Sequence, residues 1–279
     1  MAIITISRKV ASFGDETAVA LAKLLGYTFV TRKVLEEKLR ERGVPEDALK
    51  KYDEKKPTFW ASLSRERDIY MDLLRETVFD EAQHDNRIFI GRGGFAILNG
   101  VPGCYSARLV ATDGERLKRL EKEFDWTEDQ ARQRMNESDQ NRDGFHKCFF
   151  NVEIENPAIY NIVLTTDMIS AETAAEIIKT AFEKTITPEL AGQTQQAIKA
   201  KLLGQRIVNA IAFEHKLPIF FLDAQVNDEE ITLHGISESA QNTEEARKIA
   251  ESLAGGLRIN SQITFVSGYK ATANHMRRS

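Results

Sequence analysis

Cysteine is scarce, with Cys104 and Cys148 the only two in 279 residues, and they stand far apart. They form no CxxC pair and no disulfide framework, as expected of a chain kept in a reducing cytoplasm. The five histidines are scattered and HExxH is missing, which argues against a zinc site. No apolar run approaches the roughly 18 residues that a bilayer span requires. The opening MAIITIS lacks the basic flank and long apolar stretch of a signal peptide. There is no excess of basic charge either: 38 Lys and Arg face 42 Asp and Glu, a net charge of −4. That balance excludes a protein built on bulk basicity, such as a histone-like DNA binder. We therefore expect no nucleic-acid partner and no integral membrane contact. What remains is an ordinary globular composition, 42% apolar and 29% charged. The length suits one medium domain plus a small one.

The chain opens as strand, turn, helix, strand. Ala2 to Ser7 is a short β-branched apolar run, Ser12 to Asp15 a turn, Thr17 to Leu25 a helix stopped by Gly26, and Tyr27 to Val30 a second strand. A charged helix spans Arg32 to Arg42, a short one starts at Pro45, and Asp53 to Pro57 reads as a loop. Ser64 to Gln83 is a long amphipathic helix. Arg87 to Ile90 is a strand running into Gly91-Arg92-Gly93-Gly94 and a helix through Leu98. A strand at Tyr105 to Ala111 and a helix at Asp113 to Phe124 follow. The next helix covers Thr127 to Glu137, with Thr127 and Gln130 as a capping box. Ser138 to Phe150 reads as a polar, then aromatic, loop. A strand at Ile159 to Thr165 and a helix at Ala171 to Phe182 close the series. About five strands alternating with helices predict a doubly wound α/β sheet over residues 1–184.

The texture changes at 185–194, TITPELAGQT with Pro188 and Gly192, read as a linker. Residues 195–268 then give helix, two strands around Asn227-Asp228, a helix and a last strand. This α-β-β-α-β order predicts a second, smaller α+β domain. Residues 269–279 form a basic tail, with Lys270, Arg277 and Arg278 as its local charge.

Three clusters carry chemistry. The first is ISRKVASFGDETAVALA, where a strand turns into a helix N-terminus whose N–H groups and dipole attract anions. Gly14 and Thr17 are present, but Asp15 and Glu16 sit where a phosphate-loop lysine would be expected. Two acids facing a triphosphate have the wrong sign. Arg8, Lys9 or Arg32 would have to supply the missing cation. Taken alone, the segment fits an ordinary helix N-terminus, with acids favoured by the dipole, better than a triphosphate cradle. The second cluster is Gly91-Arg92-Gly93-Gly94 at a strand's carboxyl end, where Arg92 can fork onto phosphate or carboxylate or simply be solvated. The third is Ser138-Asp139-Gln140-Asn141-Arg142 with His146 and Lys147. Arg142 and Lys147 would grip one polyphosphate, oriented by Asp139, if the segment folds as a lid; otherwise it is a solvated loop. His146 reads as a surface residue.

The order of these segments, together with KKYDEKKPTFW, RIFIGRGGFAILNGVPG and NIVLTT before a helix, resembles the cytidylate kinase-like family of P-loop nucleoside monophosphate kinases over Met1 to Lys184. The resemblance implies transfer of the ATP γ-phosphoryl group to CMP, dCMP or a related acceptor, with Mg²⁺. It implies that Ser12, Gly14, Thr17 and Arg8 hold the donor, with the Thr17 hydroxyl on the magnesium side. Arg92, Gly93 and Arg32 would hold the acceptor, and Asp139, Arg142 and Lys147 would serve catalysis, Arg142 stabilising charge on the transferred group. Ala11 and Phe13 depart from the glycine-rich loop, Asp15 and Gln140 replace cations, and Thr31 stands where an acid is expected. These departures imply weak turnover, or a nucleotide-binding regulator without turnover, or a scaffold that acts through its C-terminal module. The second domain resembles a BON domain, which implies a protein or lipid surface as partner, or self-association of the chain; a small domain that packs on its neighbour is the alternative.

Overall fold

The structure is a computed structural model and describes residues 2–52, 65–84 and 86–267. The loop expected at 53–57, the start of the helix at Ser64 and the basic tail lie outside the described residues. The chain divides into two compact units, Met1–Gln196 and Ala197–Ser279.

The first unit is built on β1 (Ile3–Arg8), β2 (Thr28–Val30), β3 (Arg87–Ile90), β4 (Cys104–Val110) and β5 (Ile162–Thr165). All four pairings are parallel and the order is β2-β3-β1-β4-β5. The chain winds from β1 to one side for β2 and β3, then crosses to the other for β4 and β5. This is the doubly wound sheet expected from the sequence. Its strands are short apolar runs because a parallel sheet is covered on both faces. On one face Ile4, Ile6, Ile88, Ile90, Ala107 and Leu109 meet Ala18 and Leu21 of α1 (Gly14–Leu25) and Ala174, Ala175 and Ile178 of α8 (Ala171–Thr185). The alternate residues Ile3, Thr5 and Phe89 are equally buried and turn to the opposite face.

Between these lie α2 (Arg32–Glu41), α3 (Glu46–Lys51), α4 (Arg65–Ala82), the short α5 (Gly94–Ile97), α6 (Asp113–Phe124) and α7 (Glu128–Phe150). The capping box of Thr127 and Gln130 opens α7 as expected. The helix does not stop at Glu137, however; it runs on to Phe150, 23 residues in all, so the segment read as a polar loop is helical. Its aromatic end explains why. Phe145 packs on Phe149 at 4.8 Å, and Phe149 on Tyr52 at 5.8 Å, so tertiary packing carries the helix through a stretch of modest propensity. His146 is buried rather than exposed. Its Nδ1 lies 2.7 Å from the Arg142 carbonyl, and its ring stacks on Phe95 at 5.1 Å.

The residues read as a linker are largely helical: Thr185 ends α8, and α9 begins at Pro188 and runs to Asn209. The division between the units falls inside α9. The second unit has β6 (Ile219–Val226), β7 (Glu230–Ser237) and β8 (Arg258–Phe265), with a π turn at Ala210–Glu214 and α10 at Ala240–Leu253. The sheet order is β6-β7-β8, antiparallel and then parallel. Ile207, Ile211, Ala246, Ile249 and Ala250 cover Ile231, Leu233 and Ile263, giving the small mixed domain its own core. No helix among the described residues is long and apolar enough to cross a membrane.

Candidate functional site

In an open α/β sheet the ligand crevice lies at the carboxyl ends of the strands. Here β1 ends at Arg8 and the loop Lys9–Phe13 leads into α1. Five consecutive carbonyls of this loop are tied back to protein. Lys9 O accepts from Ser12 Oγ at 2.8 Å and Val10 O from Arg116 Nε at 2.9 Å. Ala11 O accepts from Arg119 Nη1 at 3.0 Å, Ser12 O from Thr166 Oγ1 at 3.3 Å, and Phe13 O from Thr17 N at 2.9 Å. The buried Ser12 hydroxyl also reaches Leu109 O at 3.0 Å. With the carbonyls engaged, the N–H groups from Val10 to Glu16 find no acceptor among the described residues. Ala11 and Phe13 both take the left-handed conformation, φ 57°, alternating with other conformations. Left-handed residues alternating with others are the backbone pattern of the nests that bind anions through successive N–H groups. The N-terminal dipole of α1 adds to it.

The loop keeps its shape although glycine is missing at two left-handed positions. External anchors hold it. Arg119 reaches Ala11 O and both Thr166 O (2.6 Å) and Thr166 Oγ1 (3.1 Å), and its guanidinium lies 3.7 Å from the Phe13 ring centroid. Arg116 is fully buried and pairs with both carboxylate oxygens of Asp139 at 2.8 Å. Gly14 is needed for a different reason: a Cβ there would collide with the Arg8 stem, which crosses the start of α1.

Arg8 lines a cavity of about 350 Å³ with Asp15, Phe29, Thr31, Arg32, Lys33, Glu36 and Ile90. This brings the expected Arg8 and Arg32 together beside the helix N-terminus. Asp15 and Glu16 are solvent-exposed in the first turn of α1. Thr31 caps α2, accepting from Val34 N at 3.3 Å. Thr17 is fully buried, and its Oγ1 has no hydrogen-bond partner among the described residues.

Arg92 is also fully buried, in the left-handed region at φ 47°. It donates to Tyr70 Oη at 2.9 Å and to the Glu36 carboxylate. Gly93 caps α5 at φ 69°, and the Phe150 ring occupies the space a Cβ would need. Its close approach is therefore to an aromatic side chain.

The third cluster is arranged differently from the lid envisaged. Asp139 is held by Arg116, not aimed at Arg142. Arg142 Nη1 donates to Ser138 Oγ at 2.7 Å. Lys147 is exposed on the last turn of α7, five residues beyond Arg142. On a helix that offset is about 140°, so the two cations do not converge on one phosphate from this geometry.

Sequence reasoning passed over Arg116, Arg119 and Glu36. The available signal was spacing: two arginines three apart on the helix after β4, and Glu36 four residues beyond Arg32. Among the described residues no group of three His, Cys, Asp or Glu side chains forms a metal cluster. Mg²⁺ needs no such cage, since it is usually held by one or two protein oxygens plus substrate phosphates. The orphaned Thr17 hydroxyl fits that role in type.

Residues 3–168, more than half of the chain, match the profile of the cytidylate kinase-like family. Residues 193–267 match that of the BON domain. No curated protein matches the chain. Among solved structures, an uncharacterized protein from Eubacterium ventriosum ATCC 27560 is similar with a TM-score of 0.52 at 18% identity, over 66% of this chain and 99% of that one. TT1252 from Thermus thermophilus gives a TM-score of 0.41 at 16% identity, over 67% of this chain and 98% of that one. Shikimate kinase from Aquifex aeolicus vf5 gives 0.37 at 14%, over 65% and 96%. At such identity the first likeness shows the fold alone.

Proposed function

Since the chain belongs to the cytidylate kinase-like family, we propose that its N-terminal unit binds ATP at the Lys9–Phe13 loop and transfers the γ-phosphoryl group to CMP, dCMP or a related nucleoside monophosphate. The observation that carries this reading is the nest: five anchored carbonyls leave seven successive N–H groups, Val10 to Glu16, available to an anion. Phosphoryl transfer depends almost wholly on positioning and charge stabilisation, which is what such a cradle supplies.

In this reading Arg8, steered over Gly14, supplies the cation that the sequence lacks at Asp15. Thr17 Oγ1 would help hold Mg²⁺, which neutralises phosphate charge when bound. Arg92 and Arg32 receive the acceptor phosphate. Arg142 stabilises the transferred group, and Arg116, through Asp139, positions α7 beside the loop. Asp15 lines the same cavity as Arg8 and lowers the local potential, so turnover is slow compared with a loop carrying lysine there.

Calorimetric titration of the full-length protein with Mg–ATP, and separately with CMP, tests the reading. Binding of both at micromolar to sub-millimolar affinity, followed by turnover in a coupled assay, is the expected result. A correctly folded protein that binds neither would overturn it.

For the second unit we propose the role of a binding module for a protein or lipid surface, supported by the BON match. Binding of the full-length chain to anionic vesicles, compared with a chain ending before residue 193, checks this.

A further inference from the structure

Glu36 occupies an unusual position. Its carboxylate sits on Nη2 of the fully buried Arg92, and the same Oε1 accepts from Arg32 Nε at 2.9 Å. Its side chain also lines the cavity, together with Arg8, Arg32 and Lys33, and is 18% exposed. The carboxylate is thus held by two arginines, and the Glu36 side chain stands between the cavity it lines and Arg92, which does not itself line it. A buried guanidinium without an anion is strongly disfavoured, and Glu36 is an anion paired with it. A phosphomonoester dianion offers arginine the same fork geometry with greater charge and three acceptor oxygens. The two anions would compete for the same donors.

We propose that Glu36 is a displaceable internal anion that holds the acceptor-phosphate site until a phosphomonoester dianion drives it off Arg92 and Arg32. The inference rests on the reading of Arg92 as the acceptor-phosphate residue. Under it, Glu36 determines specificity. A neutral nucleoside cannot displace the carboxylate, whereas a monophosphate can, at a cost in affinity set by the Glu36 contacts. The arginines stay folded and correctly placed in the absence of ligand because the carboxylate substitutes for phosphate.

The test titrates CMP and cytidine calorimetrically into full-length wild-type protein and the Glu36→Gln variant. Glutamine keeps the shape and an acceptor oxygen but removes the charge. CMP affinity is expected to rise about tenfold, equivalent to about 1.4 kcal/mol, with cytidine unaffected. The ligand-free variant should melt lower than wild type, and inorganic phosphate should raise its midpoint by more than it raises that of wild type. Glu36→Asp draws the carboxylate back by one methylene and should give an intermediate CMP affinity; it carries the test should Glu36→Gln not fold. Unchanged or weaker CMP binding in the variants, where wild type binds CMP, overturns the inference alone. A gain shared equally by cytidine overturns it too. If wild type and variants all melt cooperatively and none binds CMP, the nucleotide reading and this inference fall together.

Discussion

The Thr17 hydroxyl offers a test in which stability and ligand affinity move in opposite directions. It is buried in the first turn of α1, and its Oγ1 has no partner among the described residues. A buried hydroxyl without a hydrogen bond costs about 1–3 kcal/mol. Thr17→Val replaces it with a methyl of nearly the same shape, and the two residues have similar helix propensity. Taking the lower part of that range, the ligand-free protein should gain about 1–2 kcal/mol. For a unit the size of Met1–Gln196, each kcal/mol is worth about 2–4 °C, so the midpoint should rise by about 2–8 °C. Differential scanning calorimetry on full-length protein without nucleotide reads this directly. If Thr17 Oγ1 serves Mg²⁺ as proposed, Mg–ATP affinity should fall several-fold in the same variant, because the hydroxyl would no longer be there to hold the metal. An unchanged or lower midpoint would refute the claim that the hydroxyl is left unsatisfied. A higher midpoint with undiminished Mg–ATP affinity would refute its assignment to the metal side.

Arg116→Ala removes the anchor of Val10 O and the partner of Asp139, and should destabilise the first unit by about 2–4 kcal/mol, less than a fully buried pair would cost because Asp139 is partly exposed; a change below 1 kcal/mol in urea melts would contradict the clamp. Arg92→Ala should mainly raise the acceptor KM and Arg142→Ala mainly lower kcat, and steady-state kinetics showing equal, negligible effects of both would sink these assignments. Burial pushes the Cys104 thiol from an ordinary 9.0 up to about 12. The unfolded thiol ionises first, so the unfolded state binds fewer protons above pH 9 and stability falls as pH rises from there towards 12. Iodoacetamide at pH 8.5 should accordingly label Cys104 far more slowly in the native protein than in urea, and equal rates would refute the shift.

The parallel sheet was readable because β1, β3 and β4 are apolar runs followed by turn residues and amphipathic helices, a pattern set locally. The α-β-β-α-β order of the second unit was legible for the same reason. The length of α7 was not, since Phe145, Phe149 and Phe150 declare themselves only through rings brought from elsewhere, such as Tyr52. Nor was the burial of His146, whose ring partner Phe95 lies far away in sequence. In the candidate site, Arg8, Arg32 and Arg92 were singled out from their places at strand and helix ends. Arg116 and Arg119 looked like solvated helix charges because their acceptors, Val10 O and Ala11 O, precede them by 106 and 108 residues. The left-handed backbone at Ala11 and Phe13 has no signature in those residue types and follows from contacts outside the loop.

Those outside contacts separate two properties that glycine normally supplies together, a permitted shape and freedom to leave it. In this loop the shape is imposed by a serine, two arginines, a threonine and the first helical turn, while alanine and phenylalanine narrow the alternatives. The cradle is therefore ordered when the domain folds, not when a ligand arrives. On the proposed reading, an anion entering it would meet a finished mould and lose little further chain entropy to the loop, so affinity would be governed by fit and charge and not by induced closure of this segment.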